Sequence, residues 1–300
     1  MGSGRSAADA FALLSDETRV AILRAVARAQ AELDEVNAGP TELAFSEVYD
    51  RVDVGNTSKL SYHLGELTGT FLRKGESGYS LTHAGERVVR FVLSGNYERP
   101  PEFEPVETDG RCPFCGERSL RARLHHQFFL VECPACERPV SNYTVTPAQV
   151  RSLEGEELVR SVERKQAMDY AQVRRGVCPQ CAGPLSTEVR DIDESPFPDA
   201  DSLLAVDRCR ECLRGYTALL TYGVAYHPAS VAFHRERGVD IATRGLWTFN
   251  DHLYEGRWTA ERVATDPAEY EVVLRHGDDA LRCRLDASAT VQRTERVRRR

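Results

Sequence analysis

Apolar positions over residues 11–95 recur at helical spacing and then switch to a short hairpin. Val20, Leu23 and Ala27 share one face of a predicted helix, with Ser15 read as its N-cap and Thr18 three residues on. A second helix is predicted over Ser46–Val52, followed by a Gly55-Asn56 turn and a third helix over Thr57–Leu67. In that third helix Leu60, Leu64 and Leu67 stand at i, i+4 and i+7 and form the buried stripe. Its other side carries Ser58, Lys59, Ser61 and Tyr62: short hydrogen-bonding groups, one cation and one aromatic. Phe71–Lys74, the turn Gly75–Gly78 and Tyr79–Thr82 read as a β-hairpin, after which Thr82 caps a closing helix, His83–Leu93.

Asn96 to Gly110 is rich in Pro and Glu and has no period. The first domain is therefore ended at residue 97, and 98–110 is read as a linker. Residues 111–145 and 177–224 form two modules in which short strands flank cysteines, with a helical connector, 146–176, between them. The connector opens at Thr146-Pro147, an N-cap followed by proline at the first helical position. It continues as helices over Ala148–Leu153 and Gly155–Arg175 and ends at Gly176 in a left-handed cap. In residues 225–300 a helix runs from Pro228 to Gly238, and Gly245–Tyr254 forms another short one. Period-two alternation follows: Tyr270, Val272 and Leu274 on one strand, and Leu281, Cys283 and Leu285 on the next. Trp258–Val263 and Ala289–Val297 complete a three- or four-stranded antiparallel sheet. Arg293–Arg300 carries five arginines and reads either as a frayed solvated end or as a nucleic-acid arm.

Eight of the nine cysteines lie in four Cys-x-x-Cys clips: Cys112/Cys115, Cys133/Cys136, Cys178/Cys181 and Cys209/Cys212. Seventeen residues separate the inner cysteines of the first pair and twenty-seven those of the second, and each gap fits a hairpin that folds one clip onto the other. The predicted strands are Leu120–Leu124 and Phe128–Glu132 in the first gap. In the second, Leu185–Arg190 and Leu203–Asp207 flank an acidic loop. Four thiolates make a closed tetrahedral site, so two structural Zn2+ ions are expected, each in a zinc-ribbon module. Iron competes for the same donor set, and clips exchanging partners between modules remain an alternative pairing. Structural disulfides and a redox role fit paired clips among strands less well. His125 and His126 are read as surface turn residues and Cys283 as a small core residue.

Composition adds an acidic balance, with 46 Asp and Glu against 39 Lys and Arg and a net charge of −7. That excludes a protein that coats nucleic acid through overall charge. Lysine occurs only at 59, 74 and 165, a scarcity that together with excess acid suggests a halophilic source. No stretch has the length and apolarity of a signal peptide or membrane span, so a cytoplasmic protein is expected. Gly-rich phosphate loops, nucleophile elbows and His-Glu-x-x-His are missing, and no enzyme is expected. The C-terminal aromatics are read as core residues rather than as a cradle for a ligand.

Three marks in order carry a resemblance: Leu14–Leu23 (LSDETRVAIL), Ser61-Tyr-His-Leu64 with Leu67, and Gly78–Thr82 (GYSLT) with Gly85. Across the first third of the chain the sequence resembles the ArsR-like winged helix-turn-helix family. The whole arrangement also looks like haloarchaeal winged-helix regulators with zinc ribbons and a further domain behind them. The resemblance implies a homodimer on double-stranded DNA, reading a roughly palindromic site. Residues 57–63, namely Thr57, Ser58, Lys59, Ser61, Tyr62 and His63, would then face bases. The wing, 73–79, would bring Arg73, Lys74 and Tyr79 to the backbone. Metal-sensing members of the family carry a cysteine pair before the recognition helix; Glu42–Val52 has none, so sensing is not carried over. Residues 1–98 hold ten Lys and Arg against fourteen Asp and Glu, so DNA affinity would rest on a local patch.

The expected architecture is thus an α+β multidomain chain: an N-terminal winged helix-turn-helix, two zinc-ribbon modules and a small C-terminal α+β domain with an antiparallel sheet. The expected function is DNA-binding transcription regulation, with the ribbons offering stability or a surface for a protein partner. The competing reading is a zinc-ribbon scaffold for protein or RNA, with the winged helix as an adaptor.

Overall fold

The computed structural model describes residues 5–32, 42–192 and 203–298. The chain is α+β and divides into two compact units, Met1–Arg99 and Pro100–Arg300.

Unit 1 runs α1 (Ala7–Ala12), a 3₁₀ turn (Leu13–Ser15), α2 (Glu17–Glu32), α3 (Phe45–Arg51), α4 (Thr57–Leu67), β1 (Leu72–Lys74), β2 (Tyr79–Leu81) and α5 (His83–Leu93). Its core joins Ile22, Leu23 and Val26 of α2 to Val48 of α3 and to Leu60, Leu64 and Leu67 of α4. The leucine stripe of α4 is wholly buried. Each such side chain contributes about 1.5–3 kcal/mol by leaving water, which fixes the face α4 turns inward.

The expectation for α2 needs one correction: Ser15 is not its cap. Ser15 closes the preceding 3₁₀ turn by donating to the Ala12 carbonyl (2.8 Å), and Asp16 accepts the Arg19 amide (3.1 Å). Asn56 caps α4 by accepting from the Lys59 amide (2.9 Å), and Thr82 caps α5 through the Gly85 amide (3.0 Å). The hairpin pairs Leu72 with Leu81 and Lys74 with Tyr79. Leu43 adds a further bridge to Tyr79, with amide–carbonyl bonds of 2.8 and 2.9 Å. That approach explains Gly78, since a Cβ there would lie 2.2 Å from the Leu43 carbonyl oxygen.

Unit 2 opens with a four-stranded antiparallel sheet ordered β3 (Val106–Thr108), β4 (Leu120–His125), β5 (Phe128–Glu132) and β6 (Pro139–Thr144). Strand β3 lies within the segment read as linker, so part of that segment is sheet. The helices α6 (Pro147–Ser152) and α7 (Gly155–Val173) follow, and Gly176 takes the left-handed conformation expected of it (φ 75°). A three-stranded sheet, β7 (Leu185–Asp191), β8 (Leu203–Cys209) and β9 (Gly215–Leu219), leads into α8 (Leu220–Ala225) and α9 (Pro228–Arg235). The acidic loop predicted between β7 and β8 falls outside the described residues. After a 3₁₀ turn (Leu246–Phe249) and α10 (Asn250–Tyr254), four strands in sequential order close the chain: β10 (Trp258–Thr265), β11 (Ala268–His276), β12 (Asp279–Leu285) and β13 (Val291–Arg298).

One hydrophobic core spans this unit, running from Phe129 and Trp247 through Leu158, Val162 and Phe233 to Trp258, Leu274 and Leu281. The segments read as ribbon, connector and C-terminal domain therefore share an interior, and α7 is its centre. A row of buried polar side chains on α7 ties the neighbours down. Glu163 accepts from the Gly245 amide (3.2 Å), Gln166 from the Leu246 amide (2.7 Å) and Asp169 from the Tyr143 hydroxyl. A polar group buried this deeply costs stability unless paired, so these bonds specify where the 245–246 backbone sits. Cys283 is core, as expected. The strand expected over Ala289–Val297 forms as β13, paired to β12, and the reading of its arginines as a frayed end is corrected through Arg298, with Arg296 held bidentately by Glu236 (2.8 and 2.8 Å). Among the described residues no helix is long and apolar enough to cross a membrane.

Candidate metal centres and the exposed face of the N-terminal unit

The clips pair within their modules. Cys112, Cys115, Cys133 and Cys136 form one cluster and Cys178, Cys181, Cys209 and Cys212 the other, each with all four sulfurs within 4.8 Å of one another. The short sulfur–sulfur contacts are Cys112–Cys136 and Cys115–Cys133, both 3.6 Å, then Cys178–Cys212 at 3.6 Å and Cys181–Cys209 at 3.5 Å. A tetrahedral ion with metal–sulfur bonds of about 2.3 Å has edges near 3.8 Å, so these spacings suit one four-coordinate ion per cluster.

All four clips are built alike. The amide of each first cysteine donates to the carbonyl five residues on, Cys112 to Glu117 (2.7 Å), Cys133 to Arg138 (3.1 Å), Cys178 to Gly183 (3.0 Å) and Cys209 to Arg214 (2.9 Å). To close that ring, the residue after each second cysteine turns left-handed: Gly116 (φ 78°), Glu137 (57°), Ala182 (60°) and Leu213 (62°). The turn aims amides at sulfur, as where the Glu211 and Cys212 amides both lie 3.4 Å from Cys209 Sγ. Such donors favour thiolate. Burial pushes the Cys112 thiol up to about 12. At Cys178 burial also opposes ionisation, but the Cys181 and Gln180 amides, with Cys212 and the Tyr216 hydroxyl, bring it down to about 6. Four sulfurs this close repel as anions, and a divalent cation is the group that removes the conflict.

The surroundings of the two clusters differ. Cys112 and Cys133 are fully buried in the main core beside Phe129. The first clip is also clamped from α10. Asn250 donates to the Arg111 carbonyl (2.7 Å), the Arg111 guanidinium lies 4.1 Å over the Tyr254 ring, and Arg118 pairs with Asp251 (3.0 Å). The second cluster sits in a satellite core of Val173, Cys178, Cys209 and Tyr216, with Leu185 against it. Tyr216, which sequence reasoning missed, places its hydroxyl 3.8 Å from Cys178 Sγ. His125 and His126 lie exposed at the β4–β5 turn and belong to neither cluster.

In unit 1, Thr57, Ser58, Lys59, Ser61 and Tyr62 are all exposed along α4, Tyr62 by 59%. His63 departs from this row. Its side chain is 13% exposed, and Nδ1 turns to within 3.8 Å of Asp16. Arg73 and Lys74 are exposed on β1; Arg73 bonds Ser80 (3.3 Å), and Lys74 lies 5.8 Å over the ring of the half-buried Tyr79.

Residues 109–291 match the model of a family described as a domain of unknown function (DUF7351), and residues 7–92 match a second such description (DUF7347). The first match covers more than half of the chain, which therefore belongs to that family. No curated protein matches the chain, and no solved structure matches it either.

Proposed function

We propose that this member of a domain-of-unknown-function family is a DNA-binding transcription regulator of the ArsR-like winged helix-turn-helix type, with a structural zinc ion in each four-cysteine cluster. The observation that carries the reading is the division of α4. Its leucines are sealed in the core, while five consecutive-face polar and aromatic groups, Thr57 to Tyr62, stand clear of unit 1. A helix of this kind offers hydrogen-bonding side chains to base edges, and Arg73 and Lys74 on the hairpin supply cations for the flanking backbone. His63 falls outside the reading surface in this account. The apolar side chains left exposed on the flanking helices, Phe11 on α1 and Phe91 and Leu93 on α5, support a homodimer through those helices.

The closed four-sulfur shells leave no ligand position for a reacting molecule, so a zinc ion in each would supply folding energy and not chemistry. Metal analysis of the purified chain is expected to give two zinc ions per chain. Binding to genomic fragments tests the function. Lys59→Ala together with Tyr62→Ala is expected to weaken selective retention at least tenfold with the circular dichroism of the fold unchanged, since a good base contact is worth about 1–3 kcal/mol. Arg73→Ala should lower the salt slope of binding by about one for all sequences. Equal retention by wild type and the double variant, or none by either at any salt, would remove DNA reading from the account.

A further inference from the structure

The molecule's clefts differ in the sign of their charge. A cavity of about 440 Å3 beside β3 and α7 is lined by Arg118, Arg160 and Arg244, but Glu107, Asp109, Glu156 and Glu163 line it too, so its charge is mixed. A second cavity, of about 210 Å3, lies between the C-terminal end of α7, helix α8, the α8–α9 junction and the β12–β13 turn. Its charged and titratable lining is Arg174, Arg175, His227 and Tyr226, whose hydroxyl donates to the Arg244 carbonyl (2.6 Å), and among the described residues no carboxylate lines it. In a chain of net charge −7 that is a marked local reversal.

The polar groups here are donors. Arg174 is committed through Nη2 to the buried Asp207, yet its Nε is buried with no hydrogen-bond partner. The side chain packs against α8 at Gly223, where a Cβ would come 3.2 Å from Arg174 Cδ and 3.6 Å from its Nε. His227 accepts the Ala229 amide at Nδ1 (3.3 Å), which puts its ring proton on Nε2 and makes that nitrogen a donor. Burial, and then the charge of Arg175, lowers the His227 pKa, which keeps the ring neutral. Arg175 is exposed at the mouth and carries the free positive charge. Leu220, Val224 and Leu285 form an apolar floor. The cavity opens into a shallower lobe of about 640 Å3 that shares Arg175, Tyr226 and Pro228 with it and adds the apolar flank of Val231 and Ala232 on α9. The one acid of that lobe, Glu236, is engaged by Arg296.

We infer that this cleft is a binding site for a small monocarboxylate with an apolar body. The carboxylate meets Arg175 with the Arg174 Nε and His227 Nε2 donors, and the hydrocarbon part lies on the Leu220–Val224–Leu285 floor and along α9. An anion in such a place needs charge-assisted bonds to offset its desolvation, and an orphaned buried N–H is relieved by it. The site does not depend on the DNA-reading proposal, because its elements all belong to unit 2.

Isothermal titration of the full-length, zinc-loaded chain with hexanoate and benzoate tests it, against hexanamide, benzamide and inorganic phosphate. The expected result is saturable one-to-one binding of at least one carboxylate, at least tenfold tighter than its amide and than phosphate. Arg175→Gln is expected to weaken it at least tenfold. Arg175 is exposed, and among the described residues its side chain bonds only the Ala171 carbonyl (3.0 Å), so that variant retains the fold, as near-UV circular dichroism should verify. No saturable carboxylate binding, equal binding of the amides or of phosphate, or an affinity unchanged in Arg175→Gln would overturn the assignment.

Discussion

Replacing Cys133 by Ser removes one sulfur from the first cluster, and replacing Cys209 by Ser does the same to the second. The two changes are alike in chemistry, and both residues are fully buried, so a difference in outcome reports what each site holds. A structural four-thiolate zinc site contributes about 10–16 kcal/mol of apparent binding energy, against a total domain stability of about 5–15 kcal/mol. Losing a ligand is therefore enough to unfold whatever depends on the site. Cys133 directly follows strand β5, whose Phe129 and Val131 are wholly buried in the main core of unit 2, and Cys112 of the same cluster lies in that core as well. Cys209 lies instead in the satellite core with Val173, Cys178 and Tyr216. The inner parts of β8 and β9 are anchored to the main core separately, through Leu203, Ala205, Ala218 and Leu219.

Cys133→Ser is thus expected to collapse the whole unit, and Cys209→Ser to release metal while loosening only the clips and the outer ends of β7–β9. Tryptophan fluorescence separates these outcomes. Both tryptophans, Trp247 and Trp258, are buried in unit 2 and none occurs in unit 1. Cys133→Ser should show fully red-shifted emission; Cys209→Ser should keep native emission with one metal ion per chain and with faster hydrogen exchange at 176–185 and 209–216. Loss of native emission in Cys209→Ser, or its retention in Cys133→Ser, would refute the assignment of the main core to the first site.

Three more perturbations test the local physics. Leu213 is 73% exposed and left-handed, so Leu213→Gly should raise stability by up to about 1 kcal/mol in chemical denaturation, whereas Gly116→Ala should destabilise, because its Cβ would meet the Tyr254 hydroxyl at 2.8 Å. Burial, then Arg257, lowers His252 to about 3, and its ring stacks on Trp258 at 4.5 Å. A folded-state pKa below the unfolded value near 6.5 leaves stability intact above about pH 6.5 and removes up to about 1.4 kcal/mol per unit as pH falls from there toward 3. Urea titrations at pH 7, 6 and 5 should show a shallower loss in His252→Phe, which keeps the stacking, and equal slopes for the two proteins would discard the histidine as the cause.

Much of the architecture was legible because its signals are local. The leucine stripe of α4, the Thr146-Pro147 start of α6 and the alternation through Leu281, Cys283 and Leu285 each follow from a fixed residue spacing. Boundaries set by distant partners were not legible. Val106–Thr108 reads as Pro- and Glu-rich linker because nothing in its own composition says that β4 will accept it as an edge strand. The tail was legible in part. The strand read over Ala289–Val297 is there as β13, but its arginines look like a solvated end, and nothing local announces that Arg296 pairs with Glu236 just after α9. The polar residues of α7 mislead in the opposite direction. Glu163, Gln166 and Asp169 mark a solvent face by composition, yet each is buried against a group far along the chain.

The metal centres divide along the same line. Spacing alone identified all eight sulfurs, since two-residue clips are a local geometry. Their pairing within modules needed the hairpins that bring 112 to 136 and 178 to 212. Of the left-handed residues behind the clips, only Gly116 is of a type that favours that conformation. Glu137, Ala182 and Leu213 take the same conformation without any residue preference for it. The ring from the first cysteine's amide to the carbonyl five residues on dictates that conformation, and a glycine is required only where Tyr254 presses against the turn. What the clip demands of the following residue is therefore a backbone angle and not a side chain, which is why three of the four positions carry no signal in the sequence.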